Sequence, residues 1–97
     1  MNSIICSAIQ QHNVLHFYYN GGFRFVEPFC YGLGTSGHEL LRGYQISGYS
    51  ESQGLPPWRL FKVDEIQSLT IADSHFTIAR PDYNPDDSAM QHIYCRF

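Results

Sequence analysis

Hydrophobic positions recur with two different periods along this chain. Near the N-terminus they follow the helical spacing i, i+3, i+4, i+7, and the residues concerned are Ile5, Ala8, Ile9 and His12. Ser3, a residue type that favours the helix N-cap, stands just before them. This pattern predicts one short amphipathic helix that ends near Asn13.

From Val14 the period changes to two, which is typical of β-strands. The predicted strands cover residues 14–19, 23–31, 39–47, 58–63 and 66–71. A sixth strand is predicted near residues 93–97, with a short helix through Met90 as the alternative. Five or six short strands after one helix predict a mainly β fold with an N-terminal helix, in the form of a small curled sheet or barrel.

Turn-forming residues divide these strands. Asn20-Gly21-Gly22 supplies the residues of a tight hairpin turn, and residues 32–38 and 73–88 are expected to be loops. Pro28, which has no N–H for a ladder, indicates an edge or a bend, and Gly43 indicates a bulge. The polar connection over residues 48–57 is a candidate for mobility or contact.

Length and composition point to a single folded domain. The chain has 97 residues, of which 43% are hydrophobic and 15% charged, too apolar and too weakly charged for intrinsic disorder. We expect one domain over residues 1–97, with a core over about 3–76 and a C-terminal loop and possible strand over 77–97. No apolar run approaches the ~20 residues of a membrane span, and no secretory signal is visible, so a soluble cytoplasmic protein is expected.

The distribution of charge along the chain bears on which ligands the protein can bind. The net charge is −3, which argues against general nucleic-acid attraction over the whole surface, but much of the acid excess lies in Asp82, Asp86 and Asp87. A local basic face is therefore still possible.

The three cysteines, at positions 6, 30 and 95, are odd in number and widely spaced, so they are predicted to be free thiols.

Several short motifs follow one another in a characteristic order. They are Ala8-Ile9 in the helix, a strand ending in Tyr19, Arg24-Phe25-Val26-Glu27-Pro28, Leu41-Arg42-Gly43-Tyr44 and Arg59-Leu60-Phe61-Lys62-Val63-Asp64-Glu65-Ile66. In this order, over roughly residues 4–76, the chain resembles the WYL domain, a family named for a Trp-Tyr-Leu signature. The resemblance implies a small Sm-like or SH3-like barrel. It also implies a ligand-sensing module of the kind found in bacterial transcription regulators, where nucleic acid or a nucleotide is a frequent ligand.

Two positions depart from the family pattern. Glu39-Leu40-Leu41 stands where the signature has Trp-Tyr-Leu, and Glu65 stands where the family often has a second arginine. A carboxylate at that position removes an attraction for phosphate and adds a repulsion. These departures leave open an alternative function, a protein-interaction or dimerisation module whose ligand site has degenerated.

Arginines on three predicted strands are the candidate ligand-binding residues. Arg24, Arg42 and Arg59 are predicted to converge on one patch, with Tyr44 and Trp58 as stacking platforms for bases and Tyr49 as a further candidate. Three phosphate contacts would give a salt slope of about −2 for single-stranded nucleic acid, and Arg59→Ala should cost about 1–3 kcal/mol of ligand affinity. The alternative is that each arginine pairs with Glu27, Glu39 or Asp64 and only solvates the sheet.

Other chemistries receive little support from the sequence. His12, His16, His92 and Cys95 are metal-ligand types, but the first two are separated by the change from helix to strand, so no metal site and no cofactor are predicted. No nucleophile elbow occurs, and the protein is predicted to be a binder rather than an enzyme. The surplus of aromatic residues favours a homodimer, and docking to a regulator protein is a further expected partnership.

Overall fold

The computed structural model describes residues 2–50 and 57–97, so most of the predicted 48–57 connection lies outside the described residues. The elements in chain order are α1 (Ser3–Gln11), β1 (Asn13–Tyr19), β2 (Gly22–Gly34), β3 (Glu39–Gly48), β4 (Trp58–Lys62), a 3-10 turn (Val63–Glu65), β5 (Gln67–His75) and β6 (Met90–Arg96). The prediction of a mainly β fold with an N-terminal helix is confirmed. The C-terminal residues form a strand, as predicted, rather than a helix.

Helix α1 begins one residue earlier than the sequence indicates. The side chain of Asn2, not Ser3, accepts the backbone N–H groups of Ile4 and Ile5 at 3.0 and 3.1 Å, which satisfies two donors of the first turn. The helix ends at His12, whose φ of 59° places it in the left-handed region. Ile5, Ala8 and Ile9 of the predicted stripe are buried, and His12 is half-buried.

All six strands belong to one antiparallel sheet. Its order is β4-β3-β2-β1-β5, and β6 pairs with β2 beside β1. Within residues 2–50 and 57–97, β4 and β5 do not pair with each other, so the sheet is not closed into a barrel. The hairpin turn between β1 and β2 uses positive φ at Asn20 and Gly21, as predicted.

Strand β2 pairs with β3 along one edge, and on the other edge its partner changes halfway along its length. It pairs with β1 up to Val26 and with β6 from Cys30 onward. Pro28 lies between these two segments and opposite Gly43 of β3, so this proline stands in a central strand rather than at an edge. The pairing with β3 is irregular between Pro28 and Cys30, which places the bulge on β2 opposite Gly43 and not at Gly43 itself.

Residues 32–38 were predicted to be a loop, and this prediction is wrong for residues 32–34, whereas residues 35–38 form the turn between β2 and β3. Gly32 and Gly34 pair with β3 or β6, because β2 runs on as far as Gly34 between those two strands. A Cβ on Gly32 would overlap the carbonyl oxygen of His92, so glycine is needed for the close approach of β6. The predicted 73–88 loop likewise begins later, after β5 ends at His75.

Two apolar clusters lie on opposite faces of the sheet. The core face packs against α1 and carries Leu15, Phe17, Val26, Leu41 and Phe61. The outer face carries Val14 and Phe29, which are covered by Phe76, Tyr83 and Phe97. Because successive residues of a strand point to opposite faces, neighbours such as Val14 and Leu15 contribute to different clusters. We call residues 76–97, which cover the outer face, the C-terminal segment.

The prediction of three free thiols is wrong for two of them. Cys6 in α1 and Cys95 in β6 form a disulfide with a Cα–Cα distance of 5.6 Å. The two cysteines are far apart in sequence, so their spacing gave no sign of this pair. They meet because antiparallel pairing of β6 with β2 brings the last strand beside the first helix. Cys30 is free and buried, and burial raises its pKa to about 11. No helix in the described part of the chain has the length and apolar character needed to cross a bilayer.

Candidate functional site

The three predicted arginines do not form one patch. In β3, Arg42 pairs with Leu60 and the next residue, Gly43, pairs with Arg59. Residues directly opposite each other share a face and successive residues alternate, so Arg42 lies on the outer face and Arg59 on the core face. Arg24 pairs with Phe17, a core residue, and lies on the core face as well. The predicted convergence is therefore wrong in its geometry.

Arg24 is a structural cation. It is only 5% exposed, and its guanidinium donates to the carbonyl oxygens of Tyr19 and Asn20 at 3.1 and 3.3 Å. Its Cζ lies 5.3 to 5.8 Å from the ring centroids of three aromatic residues, Tyr19, Tyr49 and Phe61. Carbonyl acceptors and aromatic faces together stabilise a buried guanidinium, and they fix the β1–β2 turn next to it.

The carboxylates expected to neutralise the arginines have other partners. Glu27 is held by Arg80, Glu39 accepts from the hydroxyl of Tyr31, and Asp64 lies 3.9 Å from a nitrogen of His38. Arg59 donates to the hydroxyl of Ser50 at 2.9 Å. The alternative pairing predicted from sequence is therefore wrong in its partners.

Arg42 lines a surface cleft. This cleft, which we call the Arg42 cleft, has a volume of about 250 Å³, and its lining residues are Arg42, Trp58, Asp82, Tyr83, Asn84, Asp87 and Ser88. Arg42 and Trp58 come from β3 and β4, and the other five come from the C-terminal segment. Two of the predicted binding residues are thus brought together, and the acidic segment closes over them.

Asp87 occupies the anion-binding side of Arg42. Nε and Nη2 of Arg42 donate to the two carboxylate oxygens of Asp87 at 2.7 and 3.2 Å, and the N–H of Ala89 donates to the same carboxylate at 3.0 Å. Burial disfavours the charged form of Asp87, but these hydrogen bonds outweigh it and lower the pKa of the carboxyl. The cleft therefore holds a planar, ionised anion that belongs to the chain itself.

Aromatic rings form the wall of the Arg42 cleft. Trp58 and Tyr83 are nearly parallel, with ring centroids 6.4 Å apart, and the indole N–H of Trp58 donates to the carbonyl oxygen of Pro81 at 2.8 Å. Tyr44 packs edge-on against Trp58 at 5.4 Å. Its ring is occupied by Arg80, whose Cζ lies 4.6 Å from the ring centroid. Trp58 therefore remains the predicted platform that borders the cleft.

Sequence reasoning left open whether the three aspartates of the C-terminal segment cover the candidate patch, and it did not name the residues of this segment that line the site. Arg80 forms a two-pronged pair with Glu27 at 2.7 and 2.8 Å, and Tyr83 and Asp87 complete the cleft. The signal was the cluster of aspartates after Pro81, which indicated an acidic segment near a basic face. The sequence did not show which arginine this segment would reach.

Metal-binding geometry is absent from residues 2–50 and 57–97, where no three His, Cys, Asp or Glu side chains gather as a metal site requires. No family model, no curated protein and no solved structure matches the chain. The resemblance to the WYL domain therefore rests on the short sequence motifs alone.

Proposed function

We propose that this protein is a ligand-sensing module that binds an anionic ligand, such as single-stranded nucleic acid or a nucleotide, in the Arg42 cleft. The observation that carries the proposal is the two-pronged contact between Arg42 and Asp87 inside an aromatic-walled cleft. A guanidinium that donates to both oxygens of a carboxylate in this way also suits phosphate oxygens. The WYL resemblance supports the same class of function and implies an Sm-like or SH3-like relationship for the curled sheet.

Asp87 acts in this proposal as an internal competitor. An incoming anion must displace its carboxylate from Arg42, so only the fraction of molecules with Asp87 released is competent to bind. The apparent affinity is lowered by that fraction, and ligand binding in turn favours the released state. This coupling gives a sensor its output, because the ligand and the C-terminal segment compete for one guanidinium.

Trp58 supplies the second element of recognition. Stacking of a base on an aromatic ring contributes about 1–3 kcal/mol and tolerates any base. The ring borders the same cleft as Arg42, so a nucleotide phosphate at the guanidinium leaves its base within reach of the indole. As Trp58 is the single tryptophan of the chain, its fluorescence reports directly on the site.

Anisotropy of a labelled single-stranded oligonucleotide tests the proposal, together with quenching of Trp58. Arg42→Ala should weaken binding at least about tenfold, since it removes a charged hydrogen-bonding group worth about 1.5–3 kcal/mol. Asp87→Asn should tighten binding, because it weakens the internal competitor. Lys62→Ala, which removes an exposed cation elsewhere on β4, is the matched control for charge.

The salt dependence of oligonucleotide binding distinguishes contact through one arginine from contact through three. Contact through Arg42 alone predicts a slope of about −0.7 for log K against log salt, whereas the sequence-predicted patch requires about −2. A loss in Arg59→Ala as large as that in Arg42→Ala would contradict the cleft, and so would equal losses in Arg42→Ala and Lys62→Ala. Near-UV circular dichroism of each variant verifies that the fold is intact.

A second candidate function, homodimerisation, is favoured by the uncovered half of the outer face. Phe23 and Phe25 are 48% and 37% exposed, and both rings stack on His16, at 5.0 and 4.4 Å. The C-terminal segment covers the other half and leaves this aromatic group open to a second copy. Light scattering should give twice the mass of one chain, and Phe23→Ser should return the monomer. A monomer at all concentrations would exclude this function.

A further inference from the structure

The C-terminal segment is attached to the sheet by noncovalent contacts and one covalent bond. Its strand β6 pairs with residues 30–34 of β2, and the N–H of Phe97 donates to the carbonyl oxygen of Phe29 at 2.8 Å. The covalent bond is the disulfide, which joins Cys95 of β6 to Cys6 of α1. Every other attachment is a hydrogen bond, an ion pair or a ring contact that opens and closes reversibly.

Hydrogen bonds connect strand β6 to the loop that lines the Arg42 cleft. Nη1 of Arg96, next to Cys95, donates to the carbonyl oxygen of Pro85 at 3.0 Å and to Asp86 at 3.3 Å. The hydroxyl of Tyr83 donates to the carbonyl oxygen of Phe97 at 3.0 Å. The residues just before Asp87 are thus tied to the strand that carries the disulfide. Fixing β6 therefore fixes the loop that closes Arg42.

We propose that the Cys6–Cys95 disulfide is a redox lock, and that its reduction releases the C-terminal segment from the Arg42 cleft. The regulatory consequence, higher ligand affinity in the reduced protein, rests on the proposed function. The release itself does not, because it concerns only the attachment of residues 82–97.

The chemistry is a two-electron thiol–disulfide exchange with an external dithiol as reductant. A thiolate of the dithiol attacks the sulfur of Cys95, which is half-buried, whereas Cys6 is buried in the core. The Cys6–Cys95 bond breaks and a mixed disulfide forms. The second thiol of the reductant then displaces Cys95, so the protein gains two thiols and the reductant becomes a disulfide.

The third cysteine does not interfere with this exchange. Cys30 is fully buried, and burial raises its pKa to about 11, so almost no nucleophilic thiolate forms near neutral pH. Scrambling of the disulfide onto Cys30 is therefore suppressed. The lock has one defined closed state and one defined open state.

Reduction opens the segment because the disulfide joins its last strand to α1, which is packed on the core face of the sheet. The cross-link keeps β6 beside α1 after any momentary break of its ladder, so the ladder closes again at once. Without the cross-link, the ends separate and the entropy of the freed segment opposes closure. The sheet formed by β1, β2 and β3 keeps its own core residues and does not depend on β6 for its pairing.

Hydrogen–deuterium exchange on the full chain, with and without dithiothreitol, tests the lock in the absence of any ligand. We expect backbone amides of residues 82–97 to exchange about tenfold faster or more after reduction, with residues 14–19 and 23–27 unchanged. A Cys6→Ser/Cys95→Ser variant should exchange at the reduced rate and ignore dithiothreitol. Cys30→Ala, the matched control, should respond to dithiothreitol like the parent chain.

Two results would overturn the lock: no change in residues 82–97 after verified reduction, or equal acceleration throughout the sheet. Binding of the labelled oligonucleotide is then measured in both redox states. Release of the segment together with tighter binding supports both proposals. Release with no oligonucleotide binding in either state supports the lock and overturns the proposed function, so the two failures are distinguishable.

Discussion

Tyr31 donates its hydroxyl proton to a carboxylate oxygen of Glu39 at a distance of 2.6 Å, across the β2–β3 hairpin. The same hydroxyl accepts the backbone N–H of Asn2 at 2.6 Å. Tyr31 is among the largest fully buried side chains of the described chain. Glu39 therefore has a structural role: it anchors the tyrosine that binds the residue capping α1.

Removal of this hydroxyl should destabilise the fold. Tyr31→Phe takes away the acceptor for Asn2 and the donor for Glu39, and a loss of about 1–3 kcal/mol in the free energy of unfolding is expected. Urea denaturation at pH 7 measures it. Tyr94→Phe, which changes the tyrosine packed edge-on against Tyr31, controls for the chemistry of the substitution. A smaller loss in Tyr31→Phe than in this control would contradict the role of the hydroxyl.

Tyr31 should lose its hydroxyl proton at a higher pH than an ordinary tyrosine. Burial and the hydrogen bond to Glu39 raise the pKa of Tyr31 to about 12 from 10.0. Because the folded-state pKa is raised, the stability that Tyr31 contributes is fully present below pH 10 and is lost as the pH rises toward 12. The ultraviolet difference between wild type and Tyr31→Phe should show a midpoint near 12. A midpoint near 10 would be inconsistent with this burial.

Because of Asp87, the free energy of unfolding should decrease as the pH falls into the acid range. Its pKa lies below the ordinary value of 3.8, so the stability it contributes is full above that value and is lost as the pH falls through the lowered pKa. Asp87→Asn should cost about 1–2 kcal/mol at pH 7, and the difference from wild type should shrink as the pH falls below 3.8 through the lowered pKa. Asp86→Asn, at an exposed partner of Arg96, should have no measurable effect. A constant difference over this pH range would refute the assignment.

The two arginines of the core face should differ sharply in their effect on stability. Arg24→Ala removes a buried guanidinium that holds two backbone carbonyls, and we expect a loss of about 2–4 kcal/mol. Arg59→Ala removes a half-buried side chain with a hydrogen bond to Ser50, and a loss below about 1 kcal/mol is expected. Thermal unfolding of both variants measures the contrast. Equal losses would show that Arg24 does not have this structural role.

Gly32→Ala should loosen β6 without any change in the disulfide. The new Cβ would overlap the backbone of His92, which cannot move without breaking the β2–β6 ladder, and a loss of about 1–3 kcal/mol is expected. Gly34→Ala is the control, because its Cβ would first meet the flexible end of Leu40, at 2.5 Å. Hydrogen exchange of residues 90–96 should accelerate in the first variant more than in the second. Equal rates would mean that the close approach at Gly32 is unimportant.

Local pattern alone determined much of this fold. The helical stripe of α1, the period-two strands, and the Asn20-Gly21 turn were all predicted, because each depends on residues near one another in sequence. The extension of β2 through Gly32 and Gly34 was not, because glycine is read locally as a loop residue. Only the approach of β6 shows that glycine is needed there to avoid a steric clash.

The candidate site shows the same division between local and tertiary information. Sequence identified Arg42 and Trp58 as binding residues, since arginine and tryptophan carry the chemistry of anion and base recognition wherever they lie. Which arginines share a face depends on strand register, and the irregularity between Pro28 and Cys30 was not visible in the sequence. The pairing of Cys6 with Cys95, and of Arg42 with Asp87, joins positions far apart in sequence. Such contacts are set by how the sheet bends and by where its last strand pairs, so only the tertiary structure decided them.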